Sequence, residues 1–191
     1  LEQENNVAIM KQFPRVFSER DRGCHAKILE NLLPAFVYEA EEMYVEGEHG
    51  TELYFLKKGE IRLFCDDPNH PDNSDGFLRT RFTVPLLHMK KGEVFGMASL
   101  INDVPHTATA IAEEYSEIYF LKKLVLVEIF YEWPSLLRRF HSLAKSRSTK
   151  VNDIKRTRDI PIDHKASPRG VLRTNSMVET ATTSTKQAES E

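Results

Sequence analysis

The stretch from Phe95 to Ala108, "FGMASLINDVPHTA", holds the residues whose types and spacing point to chemistry. Gly96 opens "GMASLIND", long enough for one helical turn whose first N–H groups have no partner within the helix and so face any anion placed before them. Backbone donors at Gly96, Ala98 and Ser99 and the hydroxyl of Thr107 would remain whatever side chains surround them. Two side chains work against a strong anion site. His106, ten residues after Gly96, is mostly uncharged at neutral pH, with an ordinary pKa of about 6.5. Met97 accepts no strong hydrogen bond.

Other chemistries are poorly served. His25, His49, His70, His88, His106, His141 and His164 are scattered singly, without the spacing of two that a strand-borne metal site in a small β-barrel enzyme uses. No nucleophile elbow and no phosphate loop with its lysine occurs. The residues therefore point away from an enzyme. Cys24 and Cys65 lie far apart without metal-ligand spacing and fit reduced thiols in a cytosolic compartment. A net charge of −3 favours neither nucleic acid nor an acidic membrane surface for the chain as a whole.

With 191 residues, 40% of them hydrophobic, the chain suits one domain plus extensions. Residues 1–34 read as helical: Phe13, Val16 and Phe17 fall at turn spacing, Ser18 suits an N-cap, and Ile28, Leu29, Leu32 and Leu33 form an apolar face that Pro34 ends. Over 35–123 the period changes to two, in short Val-, Ile-, Tyr- and Phe-rich runs separated by Gly, Pro, Asn and Asp. This predicts an antiparallel, jelly-roll-like β-roll with an exposed hairpin loop at 65–76. Over 124–158 helical spacing returns through Leu126, Ile129, Phe130, Trp133, Leu137, Phe140 and Ala144, and Pro134 must kink this segment or split it into two helices. The Ser/Thr-rich 159–191 has no apolar period and is predicted to be a disordered tail. The expected fold is thus mainly β with flanking helices: N-terminal helices, a roll, and two C-terminal helices.

That order meets a specific residue set. Gly47 and Gly50 precede Leu53-Tyr54-Phe55-Leu56, Gly59 and Ile61 follow, and Gly92, Phe95, Gly96 and Leu100 come next, ahead of "HTATA" and Trp133-Pro134. Over roughly residues 10–145 this resembles the cyclic-nucleotide-binding domain superfamily. Within it the sequence looks most like the C-terminal regulatory domains of voltage-sensor-bearing cation channels and sperm-type sodium–proton exchangers. The resemblance implies a phosphate cassette at Phe95, Gly96, Met97, Ala98, Ser99, His106, Thr107 and Ala108, with no catalytic residue and no metal. In binding members a glutamate at the position of Met97 takes the ribose hydroxyl, and an arginine at the position of His106 pairs with the cyclic phosphate. Losing both costs roughly 2.5–6 kcal/mol, about a hundredfold to ten-thousandfold in affinity. Arg79 or Arg81 is a candidate substitute charge.

The resemblance implies a cytosolic regulatory domain at the cytoplasmic face of a membrane, part of an ion channel or exchanger, binding cAMP or cGMP weakly or not at all. Its expected partners are the transmembrane part of the parent chain and further copies of that parent. The alternative is a working cAMP or cGMP sensor using His106 and backbone donors. The longest apolar run, 124–130, is too short to span a bilayer, and a start at Leu1 suggests a piece of a longer protein. The basic run 138–158 is a candidate contact for acidic lipid or an acidic protein surface. A helix-turn-helix after the roll is not indicated, so nucleic acid is not an expected partner. A kinase regulatory subunit usually carries two tandem copies, and only one is present. Ser167, before Pro168, and Ser176, three after Arg173, are candidate phosphorylation sites in the tail.

Overall fold

The computed structural model describes residues 2–17, 22–66 and 83–160. Two helices, α1 (Glu2–Gln12) and α2 (Arg22–Asn31), precede strands β1 (Leu33–Val37), β2 (Glu42–Tyr44), β3 (Glu52–Lys58), β4 (Ile61–Asp66), β5 (Thr83–Met89) and β6 (Val94–Phe95). A short helix α3 (Met97–Asn102), strands β7 (Thr109–Ala112) and β8 (Ser116–Lys122), and helices α4 (Lys123–Glu132) and α5 (Pro134–Thr157) complete the order. The strands form two four-stranded antiparallel sheets, β1-β8-β3-β6 and β2-β7-β4-β5, which is the roll expected from the period-two runs.

Strand β3 explains how one sheet serves two cores. Its residues Leu53 to Leu56 are all buried, so it reads as a continuous apolar run rather than an alternation. Tyr54 and Leu56 join Ile61, Leu63, Phe95 and Ile118 inside the roll. Leu53 and Phe55 face the helices, where they pack with Phe13, Ile28, Ile129 and Phe140. Cys24 belongs to the helical core and Cys65 to the roll. Burial pushes the Cys65 thiol up to about 11, so it stays protonated and inert at neutral pH.

Three boundaries differ from the sequence reading, the first being the expected loop at 65–76: Cys65 and Asp66 still lie in β4, paired with Val84 and Thr83 of β5, and Cys65 is buried. Helix α2 stops at Asn31, and Leu33 and Pro34 lie in β1, paired with Phe120 and Tyr119 of β8. Strand β1 is at the sheet edge, where a residue without an N–H is tolerated, so Pro34 begins the roll instead of only ending a helix. At the other end, Ile160 is buried against the roll and its N–H donates to Lys155 O at 2.9 Å, so packing continues past 158. Pro134 splits the C-terminal segment: its fixed φ suits the first turn of α5, while the Trp133 N–H closes α4 on Ile129 O at 2.8 Å. The buried stripe on α5 runs through Leu136, Phe140, Ala144 and Val151, with Leu137 only half-buried. Ser18, the loop beyond Asp66, Arg79, Arg81 and the tail from 161 lie outside the described residues.

Candidate functional site

The 95–108 segment is held by chain geometry before any ligand is considered. Gly96, with φ of 85°, sits just ahead of α3, and a Cβ there would come within 3.0 Å of Glu52 O and 3.1 Å of the Tyr54 ring. Only glycine lets the chain pass that close to β3. Ser99 then works as a clip. Its hydroxyl donates to Val104 O at 2.6 Å and accepts from the Gly50 N–H at 2.6 Å. Behind it, the His106 N–H donates to Glu48 O and the Gly47 N–H donates to His106 O, each at 2.8 Å. The cassette and the β2–β3 turn are therefore one hydrogen-bonded unit.

Among the cassette residues, Gly96, Met97, Ala98, Ser99, His106, Thr107 and Ala108 line a common hollow, while Phe95 is fully buried, 5.3 Å from the Tyr54 ring. Met97 is 3% exposed and packs into the helical core. His106, 7% exposed, stacks on Tyr44 with ring centroids 3.8 Å apart and planes 12° from parallel. Burial, helped by the nearby charge of His49, pulls the His106 pKa down to about 4. The imidazole is neutral at physiological pH and supplies no standing positive charge.

Helix α5 closes the hollow with Arg147, Ser148 and Val151, and the volume left is about 40 Å³. That is room for about one water, against about 300–1,000 Å³ for a small-molecule site. Arg147 Nη1 donates to Val94 O, and Nη2 meets Glu93 Oε1 at 3.1 Å. Burial pushes the guanidinium pKa down, opposed by Glu93 and Tyr44. Farther along, Lys155 is 4% exposed with its ammonium 2.6 Å from Glu46 Oε1, and Arg158 donates to Pro85 O at 3.0 Å. Arg139 reaches back to Val16 O at 3.1 Å. The basic run thus divides: these four cations bind their own domain, while Arg138, Lys145, Lys150 and Arg156 remain exposed.

Tyr44, Leu63, Arg147 and Val151 are hollow residues that the sequence did not single out. Arg147 carried a signal, since it falls in the same α5 phase as Ala144 and Val151, but it was hidden within a run of like charges. A second cleft of about 480 Å³ lies beside the hollow, between the turn after α1, the β5–β6 turn and α5. Arg15, Lys90, Lys91, Arg147 and Lys150 give it a basic lining, against Glu93.

A family model described as "Cyclic nucleotide-binding domain" matches residues 36–131. Among curated proteins, the alpha subunit of the cone photoreceptor cyclic nucleotide-gated channel of Gallus gallus is 24% identical over 144 residues, 72% of this chain and 18% of that protein. Cyclic nucleotide-gated channel beta-3 of Canis lupus familiaris is 27% identical over 138 residues, 66% of this chain and 16% of that one. The chain thus spans less than a fifth of the length of these relatives. Among solved structures, a cyclic nucleotide-binding domain from Methylobacillus flagellatus superposes with a TM-score of 0.62 at 16% identity, covering 82% of this chain and 86% of its own. The regulatory domain of Toxoplasma gondii PKA, crystallised with cAMP, gives 0.59 at 17% identity, over 78% and 50%.

Proposed function

The chain belongs to the cyclic nucleotide-binding domain family, and from that premise we propose that it is a non-catalytic regulatory domain of a membrane ion-transport protein, a channel or exchanger, in which nucleotide binding is weak or lost. It would lie at the cytoplasmic face, joined to the transmembrane part of its parent, and oligomerise through that parent. Among the described residues no helix is long and apolar enough to cross a membrane. The kinship with channel subunits supports the ion-transport context. The observation that carries the binding claim is the 40 Å³ hollow, floored by Met97 and neutral His106 and roofed by α5. Output would come through α5, the element that must leave the roll before a nucleotide can enter.

The opposing reading is a working cAMP or cGMP sensor with His106 protonated on binding. Its support is the surviving frame: backbone donors around Gly96 and Ala98, and Thr107. Calorimetric titration with cAMP and cGMP at pH 6 and pH 8 decides between them. We expect no heat of binding from the unaltered chain at either pH; binding by Met97→Glu/His106→Arg would trace the loss to those two side chains, and silence would trace it to the closed hollow. Micromolar binding by the unaltered chain, tightening at pH 6 with proton uptake, would establish the sensor and overturn the proposal.

A further inference from the structure

Away from the hollow, one strand and two strand ends bring together side chains that sequence spacing does not link. Glu60 lies in the β3–β4 turn, His88 on β5 and Glu113 just after β7. The backbone fixes their proximity: the Glu113 N–H donates to Glu60 O at 2.9 Å, and His88 stands opposite Arg62 across the β4–β5 ladder. His88 Nε2 is 2.8 Å from Glu60 Oε2 and 3.4 Å from Glu113 Oε2, and one donor atom from each residue lies within 4.8 Å of the others. All three residues are half-buried. A second observation concerns Nε2 itself. It is shielded from solvent and, among the described residues, has no hydrogen-bond partner, although both carboxylates stand near it.

We propose that Glu60, His88 and Glu113 form a binding site for a divalent transition-metal ion of the zinc class. One imidazole nitrogen and two carboxylate oxygens suit Zn²⁺ better than Mg²⁺ or Ca²⁺, which take oxygen ligands. Tetrahedral ligands at about 2.0–2.2 Å from Zn²⁺ stand roughly 3.3–3.6 Å apart. The Nε2 to Glu113 separation already has that length, and the Nε2 to Glu60 contact opens by about half an ångström when the ion enters. The two carboxylates neutralise the ion. Arg62, 2.7 Å from Glu113 Oε2, is the outer group that orients one ligand. His88 also lines the 480 Å³ cleft, although Glu60 and Glu113 do not. The ion would tie the β3–β4 turn, β5 and β7 together.

The test is calorimetric titration of the full 191-residue chain with Zn²⁺, alongside Co²⁺ as a spectroscopic probe and Mg²⁺ as a control. The expected result is one Zn²⁺ per chain, the visible bands of four-coordinate Co²⁺, and no competition from Mg²⁺. His88→Ala and Glu60→Gln should each weaken Zn²⁺ by at least the ~10–100-fold that losing an outer-shell partner costs. Binding at His49, His106 or the cysteines would persist in both variants and so be told apart. Should His88→Ala fail to melt cooperatively, Glu60→Gln, in the exposed part of the cluster, answers the same question. Absence of one-to-one binding, or equal binding by the variants, overturns the proposal and leaves Glu60, His88 and Glu113 as a polar cluster without an ion.

Discussion

His106 carries two separable consequences, one for ligands and one for stability. Its pKa is near 4 in the folded chain and about 6.5 when unfolded, so between these values the unfolded state binds more protons. Stability from this residue is complete above pH 6.5 and is lost as pH falls toward 4, by about 3 kcal/mol in all at 1.36 kcal/mol per unit. Chemical denaturation at pH 7 and pH 4.5 should show the unaltered chain losing more stability than His106→Gln, and parallel losses would refute the assignment. Gly59 makes a sharper case. Its φ is +95°, and a Cβ would lie 2.7 Å from the Ser116 Cα, a backbone atom that cannot swing aside. Gly59→Ala should cost at least about 2 kcal/mol, from crowding and left-handed strain together, read as a fall in melting temperature.

Among the cations that attach helix α5 to its own domain, Lys155 makes a half-sheltered ion pair. Lys155 is buried while its partner Glu46 is partly exposed. Lys155→Met removes the charge and keeps the packing, so it should be close to neutral. Glu46→Ala strands a buried ammonium and should cost about 2 kcal/mol, less than a fully buried pair because water reaches the carboxylate side. Equal losses in urea melts of the two variants would show that the pair itself holds the helix. The elements themselves were largely legible in sequence. Period-two runs gave the roll, and Pro134 and the Leu126, Ile129, Phe140 and Ala144 spacing gave two C-terminal helices. The position of β1 was not, because an X-Pro pair reads equally as a helix stop and as the start of an edge strand. Nor was the closing of the hollow. Arg147 and Val151 reach it through a tertiary contact some 40 residues down the chain from the cassette, and Glu60, His88 and Glu113 meet only across strand pairing.

At the scale of the whole molecule, the two cores share sheet β1-β8-β3-β6, and α1, the turn after it and α2 cover its outer face through Ile9, Phe13, Cys24 and Ile28. The family-matched span 36–131 omits them, together with α5. A chain trimmed to residues 33–160 leaves Leu53, Phe55 and Leu121 covered on that face by α4 and α5 alone and should lose its cooperative thermal transition or self-associate, as circular dichroism and light scattering would report. A cooperative monomer from that fragment would mean that the roll stands without its helical cover. Arg147 stands in the walls of both the 40 Å³ hollow and the 480 Å³ cleft. Its guanidinium is already held by Val94 O and Glu93 Oε1, so α5 cannot lift from the hollow without breaking a wall of the cleft, and the two spaces change shape as one.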